Sequence, residues 1–421
     1  MPSNKEIPAR NNVIDFILDR ELSWRRNISP EFRYMLHEDL RDIVSSTVPQ
    51  TLHKEVVRYP YEDKCNKIFA AQWIGPDSVC FGTKDNQLQV WRYTTGEVTN
   101  ITFPDTDYTK TFSSPEVIGD PATSPNFMAE PNEVQEVLPT TGIHDIDINA
   151  SRTFLVSGGR NDHDMALFDL PFMKPSAILR GHSDCVFASK FIADDVILSG
   201  GRDGALMLWN VSSSSKGEVT APDDTVRIIT PTRCVMRSPF RVRSIERCDF
   251  TDRVFVLCGD GTLALFDCHT MHEIHYTPLP EETDLVCLAV SEENSAVAVG
   301  CQSGTLVLDT RNGCKITELC DVGLPYGVRS LTFNRDVLTI GGGDGSIDFF
   351  DVRMLSRRLK HPLICSQGSV RTTPYYPDTE PIDAPQAVYT LKYDPDCGNK
   401  LFVAGGPLVC GLNGSYASIW A

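Results

Sequence analysis

The sequence predicts an all-β fold, a seven-bladed β-propeller with an N-terminal helical hairpin in front of it. Three observations lead to this prediction. A pattern of three alternating apolar strands separated by polar turns occurs seven times in the 421 residues. Val156 and Leu198 lie 42 residues apart, and Val256, Ala298 and Thr339 follow one another at 42 and 41 residues, the length of one four-stranded blade. The seventh copy has only three strands, so we expect another part of the chain to supply its fourth.

The clearest copy covers residues 181–210 and begins with Gly181-His182 and ends with Trp209-Asn210. A Gly-His opening and a closing Trp are typical of a WD-type blade. In such a blade the histidine bonds to the aspartate of the following turn, so we expect His182 to pair with Asp203 in a structural role. The other six copies are KIFAAQW…SVCFGTKDNQLQVWR, IHDIDIN…TFLVSGGR…MALFDL, RVRSIERCDF…RVFVLCGDGTLALFD, VCLAV…SAVAVGCQSGTLVLDTR, GVRSLTF…DVLTIGGGDGSIDFFDVR and AVYTLKY…KLFVAGG…YASIWA.

The segments between the copies define the expected domain organisation. Residues 49–421 form the propeller, and the alternating stretch 51–59 is the predicted strand that closes the ring. Two long intervals, at about 101–139 and 355–385, are rich in Pro, Ser, Thr, Asp and Glu and lack periodicity. We interpret both intervals as surface insertions.

Residues 1–48 contain two helical patterns. The first covers 12–25 and places apolar side chains near one helix face. The second begins at Ser29-Pro30, a plausible N-cap and first helical residue, so the two patterns predict a helix-loop-helix arm. Its apolar face either packs on the side of the propeller or docks into a partner protein, and the sequence favours neither alternative. The apolar residues of the first helix are Val13, Phe16, Ile17 and Leu22.

Composition excludes several classes of function. A net charge of −17 repels phosphate backbones and argues against direct nucleic-acid binding. The fourteen cysteines include no C-x-x-C pair, which favours reduced thiols over zinc ribbons or redox sites. No apolar run approaches the ~18 residues that span a bilayer. We therefore expect a soluble intracellular protein, in the cytoplasm or the nucleus, with no membrane partner.

Motifs of catalysis are absent from the sequence. Gly300 to Gly304 does not form G-x-S-x-G, no lysine of a phosphate-binding loop follows a glycine cluster, and the histidines have no metal-binding spacing. The Gly-rich strings recur with the repeat, so tight turns explain them. We predict no catalytic residue, no cofactor and no metal.

Basic residues instead recur at equivalent positions of the repeats. In a propeller of this type, the turns between strands two and three and the starts of strand one emerge at the same end of the central channel. Guanidinium groups bind carboxylates bidentately, so a basic cluster at this end of an acidic protein predicts a site for an acidic group. The turns carry Lys84, Arg160 and Arg202, and the starts of strand one carry Lys67, Arg243 and Arg329.

The strings RVRS, GTK, SGGRDG, GVRSLTF and FFDVR, and above all the closing AVYTLKYD…KLFVAGGPL…GLNGSYASIW, resemble the WD-repeat substrate receptors of the cullin-4 RING ubiquitin ligase, the damage-specific-DNA-binding-protein-1 and cullin-4 associated factors. The resemblance covers nearly the whole propeller and the helical arm, whereas the insertions and the first dozen residues differ. It implies a non-catalytic receptor that selects proteins with acidic C-termini, typically twin glutamates. The residues that match the pocket cations of the family are Lys67, Lys84, Arg202, Arg243 and Arg329; Arg160 comes from the alignment of the repeats alone.

The same resemblance implies a ligase adaptor, damage-specific DNA-binding protein 1, as partner. Receptors of this family carry a W-D-x-R box after a third strand, which appears here as Phe350-Asp351-Val352-Arg353 and more weakly as Leu308-Asp309-Thr310-Arg311. Since Trp is replaced in both, the helical arm is the stronger candidate for adaptor binding, with Asp351 and Arg353 as additional candidates. A scaffold for protein complexes outside any ligase is the alternative function.

Overall fold

A computed structural model gives the structure of the chain. It describes residues 52, 54–103, 116–118, 140–212, 219–220, 226–236, 240–280, 285–312, 315–320, 326–355, 358–365, 371–372, 385–396, 398–409 and 411–421. The predicted helical arm, with Val13, Phe16, Ile17 and Leu22, lies outside the described residues.

Seven antiparallel sheets form the seven predicted blades, and each is numbered from its innermost strand, strand one, outwards. The inner strands contact one another in sequence around the ring, and blade 7 returns to blade 1. The strands are Ile68–Gly75, Ser78–Thr83, Leu88–Arg92 and Glu97–Ile101 in blade 1; Ile146–Ile148, Phe154–Gly158, Asp164–Asp169 and Lys174–Arg180 in blade 2; Val186–Ala193, Val196–Gly201, Ala205–Asn210 and Arg233–Met236 in blade 3; Val242–Cys248, Arg253–Cys258, Thr262–Asp267 and Glu273–Pro278 in blade 4; Leu285–Ser291, Ala296–Cys301, Thr305–Asp309 and Lys315–Cys320 in blade 5; Val328–Asn334, Val337–Gly342, Ser346–Asp351 and Leu363–Ile364 in blade 6; and Gln386–Tyr393, Leu401–Pro407, Tyr416–Trp420 and Glu55–Arg58 in blade 7.

The fourth strand of blade 7 comes from the N-terminal side of blade 1. Glu55–Arg58 runs antiparallel to Tyr416–Trp420, with Glu55 opposite Trp420 and Arg58 opposite Ser418. Glu55–Arg58, within the predicted ring-closing stretch, therefore joins the first and last blades in a single sheet. This pairing covers what would otherwise be an open edge of the last blade.

The core consists of seven apolar clusters, and each fills one seam between two neighbouring blades. Successive residues of a strand point to opposite faces of its sheet, so one strand serves two seams. In blade 5, Val297 and Val299 pack towards blade 4, whereas Ala296 and Ala298 pack towards blade 6. Burial on both faces explains why the second strands are almost entirely apolar.

Several short strands lie outside the four-stranded pattern. Glu116–Ile118, from the first predicted insertion, adds a parallel fifth strand to blade 3. Arg227–Ile229 pairs parallel with the outer strand of blade 2, and Val219–Thr220 pairs with Arg227–Ile229. Leu363–Ile364, inside the second predicted insertion, is the outer strand of blade 6, and Arg371–Thr372 pairs with Leu412–Asn413. Parts of both insertions are therefore strands, although they lack an alternating pattern.

A third insertion interrupts the repeat within blade 3. Leu198 and Val256 lie 58 residues apart, and the extra length falls between the third and fourth strands of blade 3. The described helical turns are short 3-10 segments, at Glu62–Lys64, Asp249–Thr251, Thr310–Asn312 and Val352–Met354. No helix within the described residues is long and apolar enough to cross a membrane.

The predicted structural role of His182 is confirmed. His182 Nδ1 donates to Asp203 Oδ2 at 2.9 Å, and Ser199 Oγ lies 2.6 Å from His182 Nε2. Trp209 Nε1 donates to the same hydroxyl at 2.8 Å. This buried network joins the entry to blade 3 with its second and third strands. Ten cysteines whose side chains the structure describes are free.

Candidate functional site at the channel mouth

In four blades, a backbone hydrogen bond holds the turn between strands two and three beside the start of strand one. In blade 1, Lys84 N donates to Lys67 O at 2.8 Å, and in blade 3, Arg202 N donates to Cys185 O at 2.8 Å. Blades 4 and 6 repeat this bond between Gly259 and Arg241 and between Gly343 and Gly327. The structure thus brings the six predicted cations to one end of the ring, although their side chains lie in different surroundings.

A ring of seven side chains, one from each blade, follows from a recurring irregularity in strand one. The ladder between strands one and two skips one residue in every blade except blade 2, and such bulges redirect a side chain. Blade 2 has no such bulge, and its equivalent residue is the one that follows Ile143. Ile143 packs against Gly82 of blade 1 in the same way that Val242 of blade 4 packs against Gly200 of blade 3. We call these partly buried residues the mouth ring: Phe69, His144, Phe187, Arg243, Val286, Arg329 and Tyr389.

Four members of the mouth ring form a continuous aromatic arc. The Tyr389 and Phe69 rings meet edge to face with centroids 5.1 Å apart, and Phe69 stacks on His144 at 5.0 Å. His144 meets Phe187 edge to face at 4.9 Å. These are favourable separations and orientations for aromatic pairs. The arc therefore spans blades 7, 1, 2 and 3 without a gap.

Burial lowers the pKa of His144 to about 4, and the nearby Arg243 charge acts in the same direction. The imidazole is consequently neutral near pH 7. His144 contributes an aromatic surface to the arc and adds no positive charge to the mouth ring.

The remaining sector of the mouth ring contains two arginines with Val286 between them. Arg243 ends the aromatic arc, with its Cζ 5.7 Å from the centroid of the Phe187 ring. Arg329 Nη2 donates to Tyr326 O at 3.0 Å, whereas its Nε is buried and finds no acceptor within the described residues. A buried N–H that lacks an acceptor is a candidate donor for an added acceptor.

Arg202 lies outside the mouth ring, on the turn of blade 3. Its side chain is 56% exposed, and its Nε is 3.5 Å from Asp184 Oδ2. An exposed ion pair of this length contributes little. A ligand carboxylate can therefore replace Asp184 at small cost.

The two lysines of blade 1 differ from each other. Lys67 is only 3% exposed, and its ammonium donates to Val409 O at 2.8 Å, across the seam with blade 7. Lys84 is partly buried, and its carbonyl accepts from Thr140 Oγ1 at 2.9 Å. Lys67 is thus engaged behind the mouth ring, where its charge acts on the mouth mainly through the electrostatic field.

Arg160 faces a separate groove. It is exposed, and its carbonyl accepts from Asn86 Nδ2 at 3.0 Å. A groove of about 590 Å³ runs from Arg160 to the outer strand of blade 1, where Ile101 and Phe103 line it. The structure therefore places Arg160 at the same end of the ring but beside the outer part of blade 1.

One cation and the whole aromatic arc are not among the site residues predicted from the sequence. Arg241 is exposed and occupies in blade 4 the position that Lys67 has in blade 1, because each accepts the same backbone bond from its turn. The residue after the first apolar residue of each copy was the available signal. The third residue of the aligned triplets KIF, GIH, CVF, RVR, DLV, GVR and AVY gives the mouth ring directly.

A second charged cluster lies deeper along the same inner strands, and we call it the interior cluster. Lys190 Nζ, on a side chain that is 8% exposed, is 3.4 Å from Glu246 Oε1, 3.8 Å from Asp145 Oδ1 and 4.0 Å from Asp147 Oδ1. Backbone N–H groups of Ser189 and Phe191 donate to the two aspartates. Three carboxylates thus surround one ammonium. No group of metal-binding spacing occurs within the described residues.

The two D-x-R boxes lie at the ends of third strands, at the opposite end of the blades from the mouth ring. In blade 6, Arg353 bonds bidentately to Asp351, with Nε–Oδ1 at 2.9 Å and Nη2–Oδ2 at 2.7 Å. In blade 5, Arg311 and Asp309 form the same pair at 3.0 and 2.9 Å. Arg353 and Arg311 nevertheless remain 61% and 71% exposed, so each presents a rigid guanidinium on the surface.

Comparison with known proteins gives two findings. The family model described as "DDB1- and CUL4-associated factor 12 beta propeller" matches residues 125–421, about seven tenths of the chain. The matched segment includes Arg202, Arg243 and Arg329, whereas Lys67 and Lys84 precede it. The THO complex subunit 6 homolog of Danio rerio is 26% identical over 210 residues, which are 48% of this chain and 60% of that protein. The chain thus matches about six tenths of the length of this curated relative.

Proposed function

The chain belongs to the DDB1- and CUL4-associated factor 12 β-propeller family, in agreement with its resemblance to the cullin-4 receptors, and from this premise we propose that it is the substrate-recognition subunit of a cullin-4 RING ubiquitin ligase. In this proposal the mouth ring binds the acidic C-terminus of a substrate protein, typically a pair of glutamates. The subunit itself is non-catalytic and presents the substrate for ubiquitylation.

The arrangement of Arg243 and Arg329 in the mouth ring supports this proposal most directly. Both are partly buried side chains on rigid inner strands, and one blade separates them. Each guanidinium can bind a carboxylate through two parallel N–H···O bonds. A C-terminal glutamate supplies two carboxylates on one residue, so a short acidic end can engage both arginines. Arg202, with its exposed and weak partner, is the third cation available to such a ligand.

The strength of this interaction can be estimated from its parts. Three or four charge-assisted hydrogen bonds contribute about 1.5–3 kcal/mol each, and association costs at least about 4 kcal/mol. The upper end of this balance, about 8 kcal/mol, corresponds to an affinity near the micromolar range. Such an affinity suits recognition of a short end group by a receptor that must also release its product.

For the adaptor, we propose that residues 1–48 provide the main contact, through Val13, Phe16, Ile17 and Leu22. Asp351 and Arg353 are a second candidate contact, because the bidentate pair holds the exposed guanidinium in one orientation. Their location at the far end of blade 6 from Arg329 would leave the mouth ring accessible while the adaptor is bound.

A capture experiment tests both parts of this function. A peptide ending in Glu-Glu is immobilised, and the purified chain is applied together with the ligase adaptor, damage-specific DNA-binding protein 1. We expect the adaptor to be retained only when the chain is present. The matched variant lacks residues 1–45; it should bind the peptide as tightly as the intact chain but retain no adaptor.

The outcomes separate the proposed function from its alternative. A chain that binds the peptide but never retains the adaptor would identify a scaffold outside the ligase. Retention of the adaptor by the shortened chain would contradict the role proposed for the helical arm. Failure of the intact chain to bind the acidic peptide would contradict the role proposed for the mouth ring.

A further inference from the structure

We propose that the mouth ring is bipartite and also selects an apolar or aromatic side chain in the residue that precedes the acidic pair of the ligand. In this proposal the arginine sector holds the carboxylates and the aromatic arc holds the preceding side chain. The inference rests on the proposed function and names a second determinant of the substrate at the same site.

The aromatic arc has the form of a preformed apolar surface. Its rings contact one another with centroid separations of 4.9–5.1 Å, so each ring fixes the orientation of its neighbour. The four side chains are partly buried, so part of each remains accessible to solvent. Phe69 is held further by the backbone, since a Cβ on Gly142 would come within 2.9 Å of its ring.

The chemistry of the two sectors assigns different parts of a ligand to each. Aromatic faces carry negative electrostatic potential, so a carboxylate is disfavoured over the arc and favoured at Arg243 and Arg329. His144 is neutral because burial lowers its pKa to about 4, and it therefore offers no counter-charge within the arc. An apolar side chain, in contrast, would displace water from the rings and add aromatic contacts.

The position of the apolar residue follows from the reach of the chain. An extended peptide advances about 3.3 Å per residue, so the residue before an acidic pair lies about 7–10 Å from the terminal carboxylate. Arg243 and the first ring of the arc, Phe187, are already in contact at 5.7 Å. The residue before the acidic pair is thus the nearest one that can leave the arginine sector and reach the arc.

A peptide series tests the inference on the unmodified chain. Peptides of twelve residues end in Phe-Glu-Glu, Leu-Glu-Glu or Ser-Glu-Glu, and a control series carries the same three residues eight positions from the end. We expect the Phe and Leu peptides to bind about fivefold or more tightly than the Ser peptide. The control series should show no difference among the three residues. Substitution Phe187→Ala should reduce the advantage of the Phe peptide, whereas Lys174→Ala on the exposed outer strand of blade 2 should leave it unchanged.

The results distinguish failure of this inference from failure of the proposed function. Equal affinity of the three Glu-Glu peptides would overturn the bipartite mouth and leave acidic recognition intact. An equal preference for Phe at the control position would also overturn it, because the effect would then be unspecific. If none of the Glu-Glu peptides binds, the proposed function itself fails and the inference fails with it.

Discussion

The mouth ring and the interior cluster are formed by the same inner strands, but their charged side chains have different neighbours. Strand one of blade 4 carries Arg243 at the mouth and Glu246 in the interior, and strand one of blade 3 carries Phe187 and Lys190. In the interior, three carboxylates of the protein surround one ammonium. At the mouth, Arg243 lies against the Phe187 ring, and Val286 separates it from Arg329 in the order of the mouth ring.

The difference indicates which charges stabilise the fold and which remain for a ligand. Paired charges with backbone donors are closed structural groups, and separating them from their partners is costly. Cations with incomplete pairing, such as Arg329 with its buried Nε, are open to an added acceptor. The interior cluster is also net negative, so it would repel an acidic end group that moved deeper. The mouth is therefore where an acidic ligand should stop.

The largest expected effect is on stability, from breaking the interior cluster. Lys190→Met leaves three carboxylates without their ammonium, and we expect the free energy of unfolding to fall by about 3–5 kcal/mol. Lys174→Met on the exposed outer strand of blade 2 is the matched control and should change it by less than about 0.5 kcal/mol. Denaturant unfolding measures both. Equal stability of the two variants would show that the interior cluster is not a structural unit.

A smaller effect, confined to binding, is expected from reversing charge at the mouth. Arg243→Glu and Arg329→Glu should each weaken binding of a Glu-Glu peptide by more than tenfold, because each replaces a counter-ion by a like charge. The free energy of unfolding should change less than in Lys190→Met, since both arginines are only partly buried whereas Lys190 is buried. Arg353→Glu, at the far end of blade 6, is the control for added negative charge. Calorimetric affinities that are unchanged at both mouth positions would exclude this site.

The smallest expected effect concerns pH and again belongs to the interior. Burial raises the pKa of Asp147 to about 6, so ionising this carboxyl opposes folding above that pH and has no effect below pH 4. Asp147→Asn should therefore increase the free energy of unfolding by about 1–2 kcal/mol at pH 7.5, and the gain should vanish as pH falls towards 4. A variant less stable than the unmodified chain at pH 7.5 would mean that attraction to Lys190 outweighs burial.

The repeat pattern predicted the seven blades because the second strand of each blade is buried on both faces and is therefore apolar in every copy. The alternation of 51–59 likewise corresponds to a real strand, Glu55–Arg58. Glu116–Ile118 and Leu363–Ile364 were not predictable, since so short an edge strand gains its order from the sheet it joins and carries little pattern of its own. The 58-residue interval between Leu198 and Val256 was a signal of the insertion in blade 3.

The candidate site was partly predictable for the same reason. Arg243 and Arg329 occupy equivalent positions in their copies, at the start of strand one. They were therefore predicted to lie at the same end of the channel, because strand one begins at that end in every blade. The environments of Lys67 and Arg160 were not predictable from position alone. Whether a cation faces the channel, a seam or an outer groove depends on contacts with neighbouring blades, such as that between Lys67 and Val409. The bulge in strand one determines which side chain belongs to the mouth ring. In the sequence, that position can be recognised only when all copies are aligned.

The most direct test of the account is a calorimetric comparison of two peptides on the unmodified chain. The peptides are identical except that one ends in Glu-Glu and the other in Gln-Gln, so they differ only in the two side-chain charges that the mouth ring is proposed to recognise. We expect an affinity near micromolar for the Glu-Glu peptide and one at least tenfold weaker for the Gln-Gln peptide. Equal affinities for the two peptides would contradict a mouth selective for acidic C-termini.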